Sequence, residues 1–264
     1  MKTTLMTCLL VLSVVAGVAR AQPAKPPEPK RFGSLVYPAA GNIDLDEGTV
    51  EMWVIANSDT SIHTTNNLVF FDIRHAEGTH FYFGALNIGV QPKSISVIGF
   101  TVPRHSFVWG GALLWKPGDV HYVAFSWKGK LRSIYIDGKP VERGPLEPAL
   151  QSETGIRSSK DVTVEGWLYG NLSTTQLLVG MQHSPFTLDE LRVSSVERSL
   201  EEIAAVYASR APLPPDAYTL LLDHCDGGPA AMVSGFSGET GAQFLGSYKV
   251  VDGAIGKAIQ LWTE

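Results

Sequence analysis

The chain has 264 residues, 44% of them hydrophobic and 18% charged, with 26 Gly, 16 Pro and two Cys, a globular composition that suits one or two domains. Its 21 Lys and Arg against 26 Asp and Glu give a net charge of −5, and no run of basic residues could neutralise several phosphates, so nucleic acid is not an expected partner. The one long apolar stretch, Leu5 to Val18, falls short of the ~20 residues that a membrane span needs.

That stretch has another reading. Lys2 supplies a positive start, Leu9 to Val18 an apolar centre and Ala19-Arg20-Ala21 a small-residue cleavage site, so residues 1–21 are expected to be a signal peptide and the mature chain to begin at Gln22. Export implies a secreted, periplasmic or cell-surface location. Cys8 leaves with the signal, so Cys225 has no intrachain disulfide partner and the core alone must hold the fold.

Residues 22–31 are a linker: four Pro among the nine residues Gln22 to Lys30 favour extended polyproline II and cannot join a sheet. From Phe32 the chain turns to short apolar or alternating runs separated by Gly, Asn, Asp and Pro, the pattern of an all-β sandwich. In Thr49 to Val54, Val50, Met52 and Val54 share one face of an extended chain. Leu68 to Ile73, Phe81 to Leu86 and Ile95 to Val102 read as more central strands. Val120 to Trp127 and Leu131 to Asp137 form a hairpin, and Asp137-Gly138 suits a second tight turn. Val162 to Leu168, Leu177 to Met181 and Leu188 to Val193 follow as further strands.

One helix is expected. Ser199-Leu-Glu-Glu202 is a capping box, and Leu200, Ile203, Ala204 and Tyr207 fall on one face at helical spacing. A Pro-rich patch, Ala211 to Asp216, separates the block 32–210 from the tail 211–264. The tail contributes strands from Tyr218 to Leu222 and from Ile255 to Trp262. They either complete the sandwich or begin a partial second repeat.

Three stretches resemble the laminin-G-like, concanavalin A-like jelly-roll domains of exported bacterial modular proteins. Gly48-Thr-Val-Glu-Met-Trp-Val54 is similar to the family's opening strand. Asp119-Val-His-Tyr-Val-Ala-Phe-Ser-Trp127 with Leu131 to Lys139 resembles its central Trp-His-His-Val-Ala hairpin, with Val120 where Trp is usual. Phe186-Thr-Leu-Asp-Glu-Leu-Arg-Val193 with the helix after Arg198 resembles its closing strand and trailing helix. The run Tyr218 to Gly227 is similar to the strand that usually starts such a domain, with Cys225 in place of Phe. The resemblance implies an antiparallel jelly-roll β-sandwich with one short helix at its edge, used for binding carbohydrate or protein.

Catalysis on this sandwich needs paired acids on one strand face, and no Glu-x-Asp-x-Glu run occurs. Asp44, Asp46 and Glu47 precede a strand and read as loop. The seven His include no His-x-x-x-His pair with zinc-site spacing. Strict alternation from Asp189 places it on the face of Leu191 and Val193, where a carboxylate needs a partner. That partner is either nearby backbone amides or an Arg, or else, as the resemblance implies, a structural calcium held by Asp189 together with Asp226. Trp109, Trp115, Trp167 and Tyr169 lie beside glycines or prolines. They either stack on sugar rings, with Asn171 bonding hydroxyls, or fill the ends of the sandwich core. Trp53 and Trp127 read as core. The expected function is a non-catalytic exported module that binds polysaccharide or a cell-surface protein, the alternatives being a glycoside hydrolase or lyase with dispersed acids, or a purely architectural domain.

Overall fold

The computed structural model describes residues 31–60, 68–75, 80–86, 94–101, 104–129, 131–141, 157–158, 172–180, 184–227 and 242–263. The expected signal peptide, nearly all of the linker and the expected strand Val162 to Leu168 lie outside the described residues. The chain runs through β1 (Arg31–Phe32), β2 (Ser34–Pro38), β3 (Glu47–Ala56), β4 (Leu68–His75), β5 (His80–Leu86), β6 (Ser94–Thr101) and β7 (Arg104–Ala112). It continues through β8 (Val120–Lys128), β9 (Leu131–Ile136), β10 (Lys139–Pro140), β11 (Arg157–Ser158), β12 (Thr175–Val179) and β13 (Phe186–Ser194). Helix α1 (Leu200–Ser209) precedes β14 (Thr219–Asp223), β15 (Gln243–Leu245), β16 (Lys249–Asp252), β17 (Lys257–Gln260) and β18 (Trp262–Thr263).

Two eight-stranded sheets result. The first has the order β10-β9-β8-β3-β13-β17-β16, with β14 also paired to β13; the second has the order β11-β7-β6-β5-β4-β12-β2-β15. Among the described strands only the short β11–β7 pair is parallel, and β1 and β18 form a small separate ribbon. Alternation fills the space between the sheets. Val50, Met52 and Val54 of β3 and Val123, Phe125 and Trp127 of β8 meet Phe71, Ile73, Leu177 and Val179 of the second sheet. Trp109, beside Gly110 and Gly111, lies in a continuous strand, Arg104–Ala112. Hairpin pairing with β6 from Thr101–Arg104 to Ser94–Ala112 outweighs the cost of its glycines.

The opposite face of the first sheet is also apolar, with Trp53, Tyr122, Ala124 and Tyr135. Such a face requires a cover. Ile203 of α1 and Leu213 of the Pro-rich patch supply it, and α1, the expected short edge helix, also touches β10, the edge strand of this sheet. Its start is the expected capping box: Ser199 Oγ accepts from the Glu202 amide at 3.2 Å and Glu202 Oε2 accepts from the Ser199 amide at 2.8 Å. Arg210, left-handed at φ 49°, ends it.

The tail joins both sheets. β14 lies beside Leu191 to Ser194 of β13, β17 beside Thr187 and Leu188 of the same strand edge, and β15 beside β2. Cys225, where the resembled run carries Phe, is buried in the inter-sheet core.

Candidate functional site

The three family-like stretches converge on one buried ion network. Glu51 in β3 is fully buried. Its Oε2 accepts from Arg192 Nε at 2.8 Å and lies 3.1 Å from Arg198 Nε, while Oε1 accepts from the Tyr122 hydroxyl. Arg192 also donates to the Pro214 carbonyl at 2.6 Å, and Arg198 to Asp216 at 2.7 Å. Sequence reading singled out the stretches without finding this network, because no periodicity within one segment reports a partner 141 residues away. Its chemistry is that of a clamp, since every lone pair and proton of a buried ion pair must find a partner.

The central hairpin has its own lock. His121 Nδ1 lies 2.8 Å from Asp137 Oδ2, and Asp137 Oδ1 accepts from the Tyr122 amide at 3.0 Å. Asp137 has φ 52°, a conformation open to Asp and Gly in tight turns. The His121 ring stacks on Trp115 at 4.1 Å. Trp115 is 6% exposed and packs near Phe70 in the core, which corrects the reading of Trp115 as a sugar-stacking ring. An end of a wide sandwich must be filled, and this ring fills it.

The register of β13 against β3 shifts between Leu188 and Leu191. Leu188 and Leu191 both enter the inter-sheet core, so Asp189 and Glu190 stand together opposite Trp53. The alternation that placed Asp189 on the face of Leu191 is therefore overturned by a β-bulge, which re-aims side chains. On this edge of β13, pairing passes from β17 to β14 around the same two residues. Asp189, wholly buried, accepts at Oδ2 from the Ile255 amide at 2.7 Å. Glu190 accepts at Oε2 from the Leu213 amide at 2.9 Å and pairs with His224 Nδ1 at 2.8 Å. Burial pushes Asp189 up to about 7, opposed by the Ile255 and Ala254 amides, and raises Glu190 and Asp223 as well.

Asp226 is exposed and accepts from the Lys257 amide at 2.7 Å. Asp189 and Asp226 thus hold one turn, residues 253–257, by its amides. Gly253 and Gly256 allow the approach, since a Cβ on either would come within 2.7 Å and 2.5 Å of these carboxylates. Asp189 Oδ1 has no hydrogen-bond partner, the one feature a cation would answer. Among the described residues, however, no group of three or more His, Cys, Asp or Glu could hold a metal ion. The described residues do not by themselves fit calcium's six to eight oxygen ligands.

The remaining surface of interest is the outer face of the second sheet. Phe71 and Phe83 lie in the core, and they are neighbours in the ladder, so the alternate positions face away from it. The register aligns Leu178, Asp72, Tyr82, Ile98 and Phe107 in one row and Gln176, Arg74, His80, Phe100 and His105 in the next. Trp109 follows Phe107 by two positions in β7 and pairs with Ser96. At the β12–β4 end Leu178 and Asp72 are buried, whereas Gln176 is exposed and the Arg74 side chain is 35% exposed. Arg74 donates from Nε and Nη2 to Asp72 Oδ2 at 3.2 and 3.0 Å, which fixes its direction. Trp167, Tyr169 and Asn171 lie outside the described residues.

Residues 33–204 match the family described as the concanavalin A-like lectin/glucanases superfamily, of laminin-G type. The chain belongs to this superfamily. Among solved structures, the enzymatically active domain of tailspike protein 2 of bacteriophage CBA120 is similar, with a TM-score of 0.50 at 14% identity over 72% of this chain and 28% of that one. A heptameric pentraxin from Limulus polyphemus matches 89% of this chain and 90% of its own, at 12% identity and a TM-score of 0.46. Domain 4 of an extracellular arabinanase from Geobacillus stearothermophilus, solved with arabinotriose, matches 63% of this chain and 69% of its own, at 16% identity and a TM-score of 0.43. No curated protein matches by sequence. At 14% identity the likeness to the tailspike domain is one of fold alone, and one fold hosts many functions.

Proposed function

We propose that the protein is an exported, non-catalytic carbohydrate-binding module that uses the outer face of its second sheet. The observation that supports this reading is the composition of that face. Trp109, Phe107 and Tyr82 hold register positions alternate to the core-facing ones on β7 and β5, in the same sheet that carries exposed Gln176 on β12 and the Asp72-held Arg74 on β4. Aromatic rings with a few fixed planar polar groups suit a sugar, which offers apolar ring faces and rows of hydroxyls. Among the described residues, the apolar patch on the first sheet's outer face, Trp53, Tyr122, Ala124 and Tyr135, is covered by Ile203 of α1 and Leu213 of the Pro-rich patch.

The non-catalytic part of the reading rests on the carboxylates. Glu51, Asp72, Asp189, Glu190 and Asp223 are all buried, and each is engaged by an Arg, Tyr, His or backbone amide. A glycosidase pair instead faces a cleft, one acid protonating and the other attacking or activating water.

A glycan array with the purified protein tests the proposal. Binding to defined saccharides is expected, reduced by Trp109→Ala or Gln176→Ala, without release of reducing sugar from any polysaccharide. Sugar release abolished by one Asp or Glu substitution would replace this reading with a hydrolase.

A further inference from the structure

We draw no further inference here: the strongest candidate, the open edge of the sandwich at β15 and β16 where Leu245, Tyr248 and Val250 stand exposed, carries nothing, because nothing in the structure shows what covers it.

Discussion

Arg192 on β13 donates from Nε to the Glu51 carboxylate on β3 at 2.8 Å, and both side chains are buried. The pair lies on the outer face of the first sheet, beneath the Pro214 carbonyl that accepts from the same guanidinium. Removing one partner leaves the others charged and unanswered in a buried place. Glu51→Ala is therefore expected to destabilise the fold by about 3–5 kcal/mol, read as a lower urea midpoint at an unchanged slope. A shift below about 1 kcal/mol would mean that the network carries no more weight than a surface ion pair.

The cluster around the β13 bulge predicts an unusual pH profile. Asp189, pushed up to about 7, and Glu190 and Asp223, also raised, bind protons more tightly in the folded chain than in the unfolded one. Their contribution is fully present below about pH 4 and is lost as pH rises through the folded values, for Asp189 near 7. Glu47 and Asp216, lowered by the Glu197 amide and by Arg198, act in the opposite sense below pH 4. Denaturation midpoints are expected to fall between pH 5 and pH 8, and Asp189→Asn should flatten that fall. A profile identical in the variant would assign the dependence elsewhere.

Cys225 is buried beside Asp223, and burial together with the carboxylates of Asp223, Asp189 and Glu190 pushes its thiol well above the ordinary range. A thiol kept neutral is a poor nucleophile. The native protein should leave an aromatic disulfide reagent unreduced over hours at neutral pH, then react with one equivalent in denaturant. Rapid native reaction would show that the β14 region opens.

The sequence carried most of the architecture because the strands alternate. Val50, Met52 and Val54 announced their face, and Ser199 with Glu202 announced the helix start, since both signals are local. Three features had no local signal. The bulge at Asp189 and Glu190 adds one residue to a strand whose composition, Leu188 through Val193, reads equally well without it. Trp115 sits between a Lys and a Leu in a stretch that resembles loop, and its stacking on His121 with its packing near Phe70 makes it core. Trp109 lies among glycines that suggest a turn, and the β6 ladder makes them strand. In each case a partner outside the segment itself decides the outcome, and the segment's own composition does not reveal it.

The calcium expectation is open to direct measurement. Binding through Asp189 and Asp226 would compete with the Ile255 and Lys257 amides that these carboxylates now accept. The melting temperature in millimolar calcium is expected to match that in a chelator, since no ligand that binds only the folded chain leaves it unchanged. A rise that Asp189→Asn removes would establish the site and require the turn at residues 253–257 to move.

The tail decides whether the first 210 residues can stand alone. A chain ending at Pro212 would lose β14 and β17 from the edge of β13 and β15 from the edge of β2. It would also lose the Leu213 and Leu222 side chains that cover Trp53 and Tyr122. The polar losses are as serious. Glu190 would lose the Leu213 amide and His224, Arg192 the Pro214 carbonyl, Arg198 the Asp216 carboxylate, and Tyr37 the Asp223 oxygen that it reaches across the sandwich at 2.6 Å. Buried groups left unanswered cost about 1–3 kcal/mol each, and more when charged, so these four together cost about 4–12 kcal/mol or more, comparable to the 5–15 kcal/mol by which ordinary domains are stable. The truncated chain is therefore expected to lack a cooperative urea transition and to be degraded by trypsin under conditions that spare the whole protein. A truncated chain that is monomeric, with the same midpoint as the full one, would show instead that the tail is an appendage docked on a finished sandwich.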